Sequence, residues 1–228
     1  MRLSVNKPIQ FLYLGLIVIL FLSVKGCNKN PSDLVPDGHV IFEKISGDLN
    51  NDGINDSIFI VKSTSKEVFF VDEDGEKLDR NRRGIMVFLS ENDIWKLTSQ
   101  NLSCFSSENE DGGIYFPPEL SVHTERGNLY LHYGHGRYGY SKYTFRFNNP
   151  HFELIEYISS VSHGPVIEEE IILKYQTKKK LKRVNANENS QNDSEATFED
   201  TWTDIQIEQL IKLSEIVDFD ELDLRNSH

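Results

Sequence analysis

Between residues 38 and 163 apolar and polar positions alternate in short runs, each bounded by Gly, Asn, Asp or Pro. Leu129, Leu131 and Tyr133 alternate with Tyr130, His132 and Gly134, and Tyr143, Phe145 and Phe147 alternate with Thr144, Arg146 and Asn148. A period of two places one set on a packed face of a sheet and the other on a wetter face. The runs predict strands at 40–45, 57–62, 67–71, 85–90, 93–98, 119–124, 129–133, 138–148 and 152–160, then at 166–175 and 180–185. Short connections at Glu91-Asn92, Arg126-Gly127-Asn128 and Asn148-Asn149-Pro150 join neighbouring runs, so consecutive strands should pair antiparallel. Residues 99–113 read as a loop and 185–195 as a polar linker. After these the period changes. Ile205, Ile207, Leu210, Ile211, Leu213 and Ile216 recur at helical spacing behind Asp204, which is suited to an N-cap. The expectation is a mainly β protein of antiparallel meander sheets, a sandwich or a propeller-like fragment, closed by one C-terminal amphipathic helix.

Between the first two strands lies the densest set of hard oxygen donors in the chain, G-D-L-N-N-D-G-I-N-D at 47–56. Asp48, Asn50, Asp52 and Asp56 fall at positions 1, 3, 5 and 9 of a loop frame, and the Ile54 carbonyl falls at position 7. Ca²⁺ takes six to eight oxygens, so a loop that holds it must curl and present alternate side chains and a backbone carbonyl. Gly53 stands at position 6, where such a curl needs a positive φ. Position 12 is Phe59 rather than the bidentate Glu of a helix-loop-helix site, and the flanking runs are β-branched and aromatic, which makes this a loop between strands. The residues resemble the calcium loops of FG-GAP and VCBS-type β-propeller repeats over 40–61, in a single copy. That resemblance implies Ca²⁺ bound by Asp48, Asn50, Asp52 and Asp56 with the Ile54 carbonyl. The bare residues also allow an Asx-rich turn with no ion.

Charge and the amino terminus place the chain in a compartment. Net charge is −12, and residues 1–26 hold three basic side chains and no acid, so the remainder carries −15. A surface of that sign repels phosphates and argues against nucleic acid. Arg2 and Lys7 precede an apolar run from Ile9 to Val24, the layout of a secretory signal over 1–26. Val24-Lys25-Gly26-Cys27 resembles a bacterial lipobox, which implies that Cys27 is lipidated and that the protein is held to a membrane of the cell envelope. Residues 27–37 then serve as a polar tether, and 38–228 form one β-rich domain. With Cys27 acylated, Cys104 is unpaired, and its neighbours Leu102 and Phe105 favour a buried, inert thiol.

A second unusual stretch covers 134–140, where glycines bracket His135, Arg137 and Tyr138. Glycine-bounded Arg and Tyr have the composition of a binding tip, and the Gly-Arg-x-x-Tyr order resembles the loop by which periplasmic lysozyme inhibitors plug an enzyme cleft. Against this stands an aromatic-rich structural hairpin. His123, His132, His135, His151 and His163 show no ligand spacing for zinc, and Glu168-Glu169-Glu170 in a strand would alternate between faces rather than converge. No serine triad signature, phosphate loop or dinucleotide fingerprint occurs. Lys174, Lys178, Lys179, Lys180, Lys182 and Arg183 either face anionic headgroups or protect a hairpin edge. The functional expectation is a non-enzymatic envelope lipoprotein with a calcium-stabilised β domain in a binding or scaffolding role, with a protein or glycan as partner. The alternative is an inhibitor or receptor that inserts the 134–140 loop into a partner enzyme.

Overall fold

The computed structural model describes residues 30–71, 74–92, 94–110, 118–187 and 189–226. The signal segment and Cys27 lie outside the described residues. The protein is mainly β and antiparallel. One sheet has four strands in the order β1 (His39–Gly47), β2 (Asp56–Ser63), β5 (Arg83–Glu91) and β6 (Ile94–Phe105). A small hairpin of β3 (Phe69–Val71) and β4 (Lys77–Asp79) is inserted between β2 and β5. The other sheet is a seven-stranded meander in strict chain order: β7 (Glu119–Glu125), β8 (Asn128–Gly134), β9 (Gly139–Asn148), β10 (His151–His163), β11 (Val166–Lys174), β12 (Lys179–Asn185) and β13 (Phe198–Asp204).

Both faces of the four-stranded sheet are covered, and the sequence shows why. Ile58 and Ile60 of β2, with Ile85, Val87 and Leu89 of β5, join a large core shared with the other sheet. Alternate residues Phe59, Val61, Met86 and Phe88 form a second cluster on the opposite face. A strand buried on two sides must be apolar without interruption, as these two are. Leu34, Val35, Ile41, Trp95 and Leu102 cover the second cluster. From Pro31 onward the expected tether is therefore packed: Asn30 accepts the Ser32 N–H and caps a 3-10 turn over Pro31–Leu34, with Pro31 buried. The large core takes Leu129, Leu131 and Tyr133 from β8, with Tyr143 and Phe145 from β9, which are the inward positions that the alternation specifies.

The segment after β13 departs from expectation. Among the described residues there is no helix of seven or more residues, so the C-terminal amphipathic helix is not formed. Residues 205–226 instead run as an extended strap with one 3-10 turn at Leu213–Glu215. Leu213, Ile216 and Phe219 recur every third residue and are buried, a spacing that the helical pattern shares. The strap takes its hydrogen bonds from both sheets. The Leu154 N–H donates to the Ile211 carbonyl at 2.8 Å, the Phe219 N–H to the Cys104 carbonyl at 3.0 Å, and the Asn101 amide to the Leu213 and Ile216 carbonyls. Five β-branched residues, Ile205, Ile207, Ile211, Ile216 and Val217, lower helix propensity here, and Asp218, Asp220 and Glu221 would repel the negative end of a helix dipole. Phe219 packs between the sheets, with its ring centroid 4.9 Å from Phe105 and 4.8 Å from Tyr143.

Two other expectations change. Strand β6 continues through 99–105, where a loop was expected, because bulges opposite β5 absorb its polar residues and Asn101 turns to the strap. Strand β13 lies between the linker expected at 185–195 and the helix expected behind Asp204, where no strand was expected, and it covers β12, so the lysines there do not guard an edge. Lys179 pairs with Asp204 at 2.6 Å, Lys182 with Glu169 at 2.7 Å, and Arg183 with Glu170 and Asp200 at 3.2 and 3.1 Å. Acids on both neighbouring strands thus offset half of the six-residue basic patch.

Candidate functional site

The β7–β8 hairpin has a candidate site at each end, separated by the seven residues of β8, roughly 20 Å of strand. At one end the hairpin turns on Arg126 and Gly127, both with positive φ. The oxygen-rich loop leans on this turn, and a Cβ at Gly127 would lie 2.3 Å from the Asn51 amide, so only glycine admits the contact. The Thr124 hydroxyl reaches the Ser46 carbonyl at 3.3 Å, and Leu49 is buried in the shared core. The loop therefore forms a corner joining the two sheets.

Inside the corner the chain is curled as the spacing demands. Gly53 has φ +85°. Asp48 accepts the N–H groups of Asp52 and Gly53 through its two oxygens at 3.2 and 2.9 Å. Asn50 Oδ1 accepts the Asp52 N–H at 3.1 Å, and its Nδ2 donates to Asp52 Oδ2 at 2.9 Å. Asp52 Oδ1 accepts the Ile54 N–H at 2.7 Å. Asp48, Asn50 and Asp52 are thus interlocked, while Asp56 turns inward. Fully buried, Asp56 accepts the Leu49 N–H at 2.7 Å and the Ser90 N–H at 3.0 Å, tying the loop to the end of β5. Burial pushes its carboxyl above the ordinary range, the two amides pull it back, and the charges of Asp52 and Asp48 push it up again. No three His, Cys, Asp or Glu side chains form a metal-holding group among the described residues. The donor set that the loop offers is two carboxylates, one amide and a carbonyl, at Asp48, Asp52, Asn50 and Ile54.

At the other end β8 stops at Gly134 and β9 starts at Gly139, and the tip between them winds into a single 3-10 turn at Gly136–Tyr138. His135 donates its N–H to the Gly139 carbonyl at 2.9 Å, and Tyr138 donates its N–H to the His135 carbonyl at 3.2 Å. His135, Arg137 and Tyr138 are exposed. The Arg137 Nε donates to the Tyr138 hydroxyl at 3.2 Å, and its guanidinium lies 5.3 Å from that ring.

Below the tip is a cavity of about 620 Å³ between β9, β10 and the strap. His135 and Tyr138 line it; Arg137 does not. Five aromatic rings contribute to its wall: Tyr138, Tyr140, Tyr143, Tyr157 and Phe219. Ser159 and Ser160 line its floor and are nearly buried, with the Ser160 hydroxyl accepting the Tyr140 N–H at 3.0 Å. The strap adds Asp220, Asp223 and Arg225. Asp223 and Arg225 make a two-point ion pair at 2.9 and 2.8 Å, which draws the Asp223 carboxyl down to about 2. Asp220 accepts the Tyr133 hydroxyl at 3.2 Å, and that hydroxyl is also bonded to Ser106. Desolvation, then the like charge of Asp218, raises the Asp220 carboxyl above its usual range. Burial lowers His135 below the ordinary imidazole value, with Asp220 acting in the opposite sense. Burial also raises Cys104, a buried thiol as expected.

Sequence reasoning marked the tip but missed the cavity beneath it. The run Ser159-Ser160-Val161-Ser162 interrupts the apolar alternation of β10 with small polar groups, a signal that something other than core faces it. Asp220, Asp223 and Arg225 carried no such signal, since they lie beyond the apolar pattern that ends at Ile216. Compared with known proteins, the chain matches no family model, no curated protein and no solved structure.

Proposed function

We propose that this chain is a non-enzymatic binding protein of the cell envelope, held to a membrane through lipidated Cys27. One end of its β body is fixed by Ca²⁺, and the opposite end receives a ligand. The observation that carries the binding role is the cavity: residues from the tip, β9, β10 and a strap far away in sequence converge on one aromatic and polar hollow of about 620 Å³. That volume is typical of small-molecule sites. The calcium role rests on the interlocked corner, where oxygens of Asp48, Asn50 and Asp52 and the Ile54 carbonyl would hold the ion. Asp56 adds negative charge from behind while remaining committed to backbone amides. The donor chemistry fits a hard cation, and water would complete the six to eight ligands. Bound there, Ca²⁺ would neutralise mutually repelling carboxylates.

Titration calorimetry should give one Ca²⁺ per chain and lose it in Asp52→Ala; absence of heat in the unaltered protein would remove the ion from the account. Membrane fractionation of a Cys27→Ser variant should move the protein to the soluble fraction, and retention in the membrane would contradict the anchor.

The exposure of the whole tip favours a second reading, in which residues 134–140 insert into a partner enzyme. Under that reading Arg137→Ala abolishes inhibition across a lysozyme panel without changing the melting temperature.

A further inference from the structure

The cavity beneath the tip has an unbalanced charge. Of the three carboxylates on its wall, Asp223 is matched by Arg225. Glu110 accepts a backbone N–H from Ser107 at 3.2 Å, and Asp220 accepts the neutral Tyr133 hydroxyl. Neither carboxylate is in an ion pair among the described residues. The nearby cations are paired elsewhere: Arg225 on Asp223, Arg183 on Glu170 and Asp200, Lys180 on the Arg225 carbonyl, and Arg82, whose charge also reaches Asp220, on Asp218 at 2.8 Å. Two carboxylates outside any ion pair therefore sit at a hollow to which five aromatic residues contribute; Tyr143, Tyr157 and Phe219 are buried, and Tyr138 is exposed, with a ring whose face attracts cations.

Ligand classes divide on this point. An anion would meet net negative charge. A neutral sugar would stack on the tyrosines but leave both carboxylates without a counter-charge. A cation with an apolar body satisfies rings and carboxylates together. We propose that the cavity binds a small organic ammonium ion, with Asp220 and Glu110 supplying the counter-charge and Tyr138 the ring contact. This deepens the proposed binding role and rests on the reading that the tip end is the binding end. Asp220 and Glu110 are both exposed, so a cation entering the hollow can reach either carboxylate. Arg137, exposed on the tip with its guanidinium over Tyr138, is a like charge near the mouth and opposes such a ligand.

The test is titration calorimetry of the full chain in detergent with choline, with its uncharged carbon isostere dimethylbutanol, and with chitotriose as a neutral glycan. Choline should bind about tenfold or more tighter than the isostere, the difference expected of a cation in an aromatic, carboxylate-lined site. Asp220→Asn, which keeps an acceptor for Tyr133, should weaken choline about tenfold, and Tyr138→Ala at the exposed tip should weaken it severalfold, each with melting temperature unchanged. Arg137→Ala should strengthen it. Equal affinity for choline and the isostere, no choline binding at all, or an unchanged affinity in Asp220→Asn overturns the proposal. Chitotriose binding without choline binding overturns the ligand class while leaving the binding end in place; silence from all three probes counts against both.

Discussion

The two ends of the β7–β8 hairpin are both polar and acidic, yet they dispose of their polar groups in opposite ways. At the corner the carboxylate oxygens of Asp48, Asp52 and Asp56 are turned to backbone amides or to Asn50, so the side chains dictate the path of the chain. At the cavity, Asp220 and Glu110 are in no ion pair among the described residues, and serines and tyrosines line a hollow. Buried polar groups that are fully satisfied specify a structure. Groups left with spare capacity in a concave site are where a ligand earns its affinity. On the proposed reading the corner belongs to folding and the cavity to recognition.

The largest expected effect falls at the cavity end, on a residue that serves the core and the cavity wall at once. Phe219→Ala removes the ring wedged against Phe105 and Tyr143 and should cost about 4 kcal/mol of stability in urea unfolding. It should also release the strap and abolish ligand binding; a loss below about 1 kcal/mol would mean that the strap is not part of the core. Next is Asp56→Ala, which leaves the buried Leu49 and Ser90 amides without an acceptor. A loss of about 3 kcal/mol is expected, with cavity binding retained. If Asp56→Ala instead removed ligand binding and left stability untouched, the assignment of the two ends would be reversed.

The smallest effect is electrostatic and confined to the cavity end. Asp223 titrates near 2 in the folded protein against 3.8 for a free side chain. A carboxyl depressed in this way stabilises the fold above its unfolded value and loses that contribution as pH falls through about 2. NMR titration of the Asp223 carboxyl should show this low midpoint and should return it toward 3.8 in Arg225→Gln, with the global unfolding temperature at neutral pH barely altered. An unchanged midpoint in the variant would show that the ion pair is not its cause.

How much of this was legible in the sequence follows the same line. Leu129, Leu131 and Tyr133 announced their face because a strand's periodicity is local, and Gly53 announced its positive φ because the loop is built from its own residues. The strap was misread because Leu210, Leu213 and Ile216 recur at a spacing that a helix and an extended, partly 3-10 segment both satisfy. What decides between them is the Cys104 carbonyl, the Leu154 N–H and the Asn101 amide, partners some 60 to 115 residues away. The cavity was illegible for the same reason: its wall is assembled from segments that no local pattern connects. Strand β6 was cut short because Ser99, Gln100 and Asn101 look like loop until the strap that Asn101 serves is in place.

The account turns most on the claim that the corner is an ion-stabilised structural element set apart from the recognition end, and scanning calorimetry of the full chain in detergent addresses it directly. With Ca²⁺ at about one hundred times its dissociation constant, linkage stabilises the fold by about 2.7 kcal/mol. For a body of this size that is a rise of about 5–10 °C in melting temperature, absent in Asp52→Ala, with choline affinity the same with and without the ion. Superimposable melting curves with Ca²⁺ and with chelator, in a protein that still folds, would contradict it.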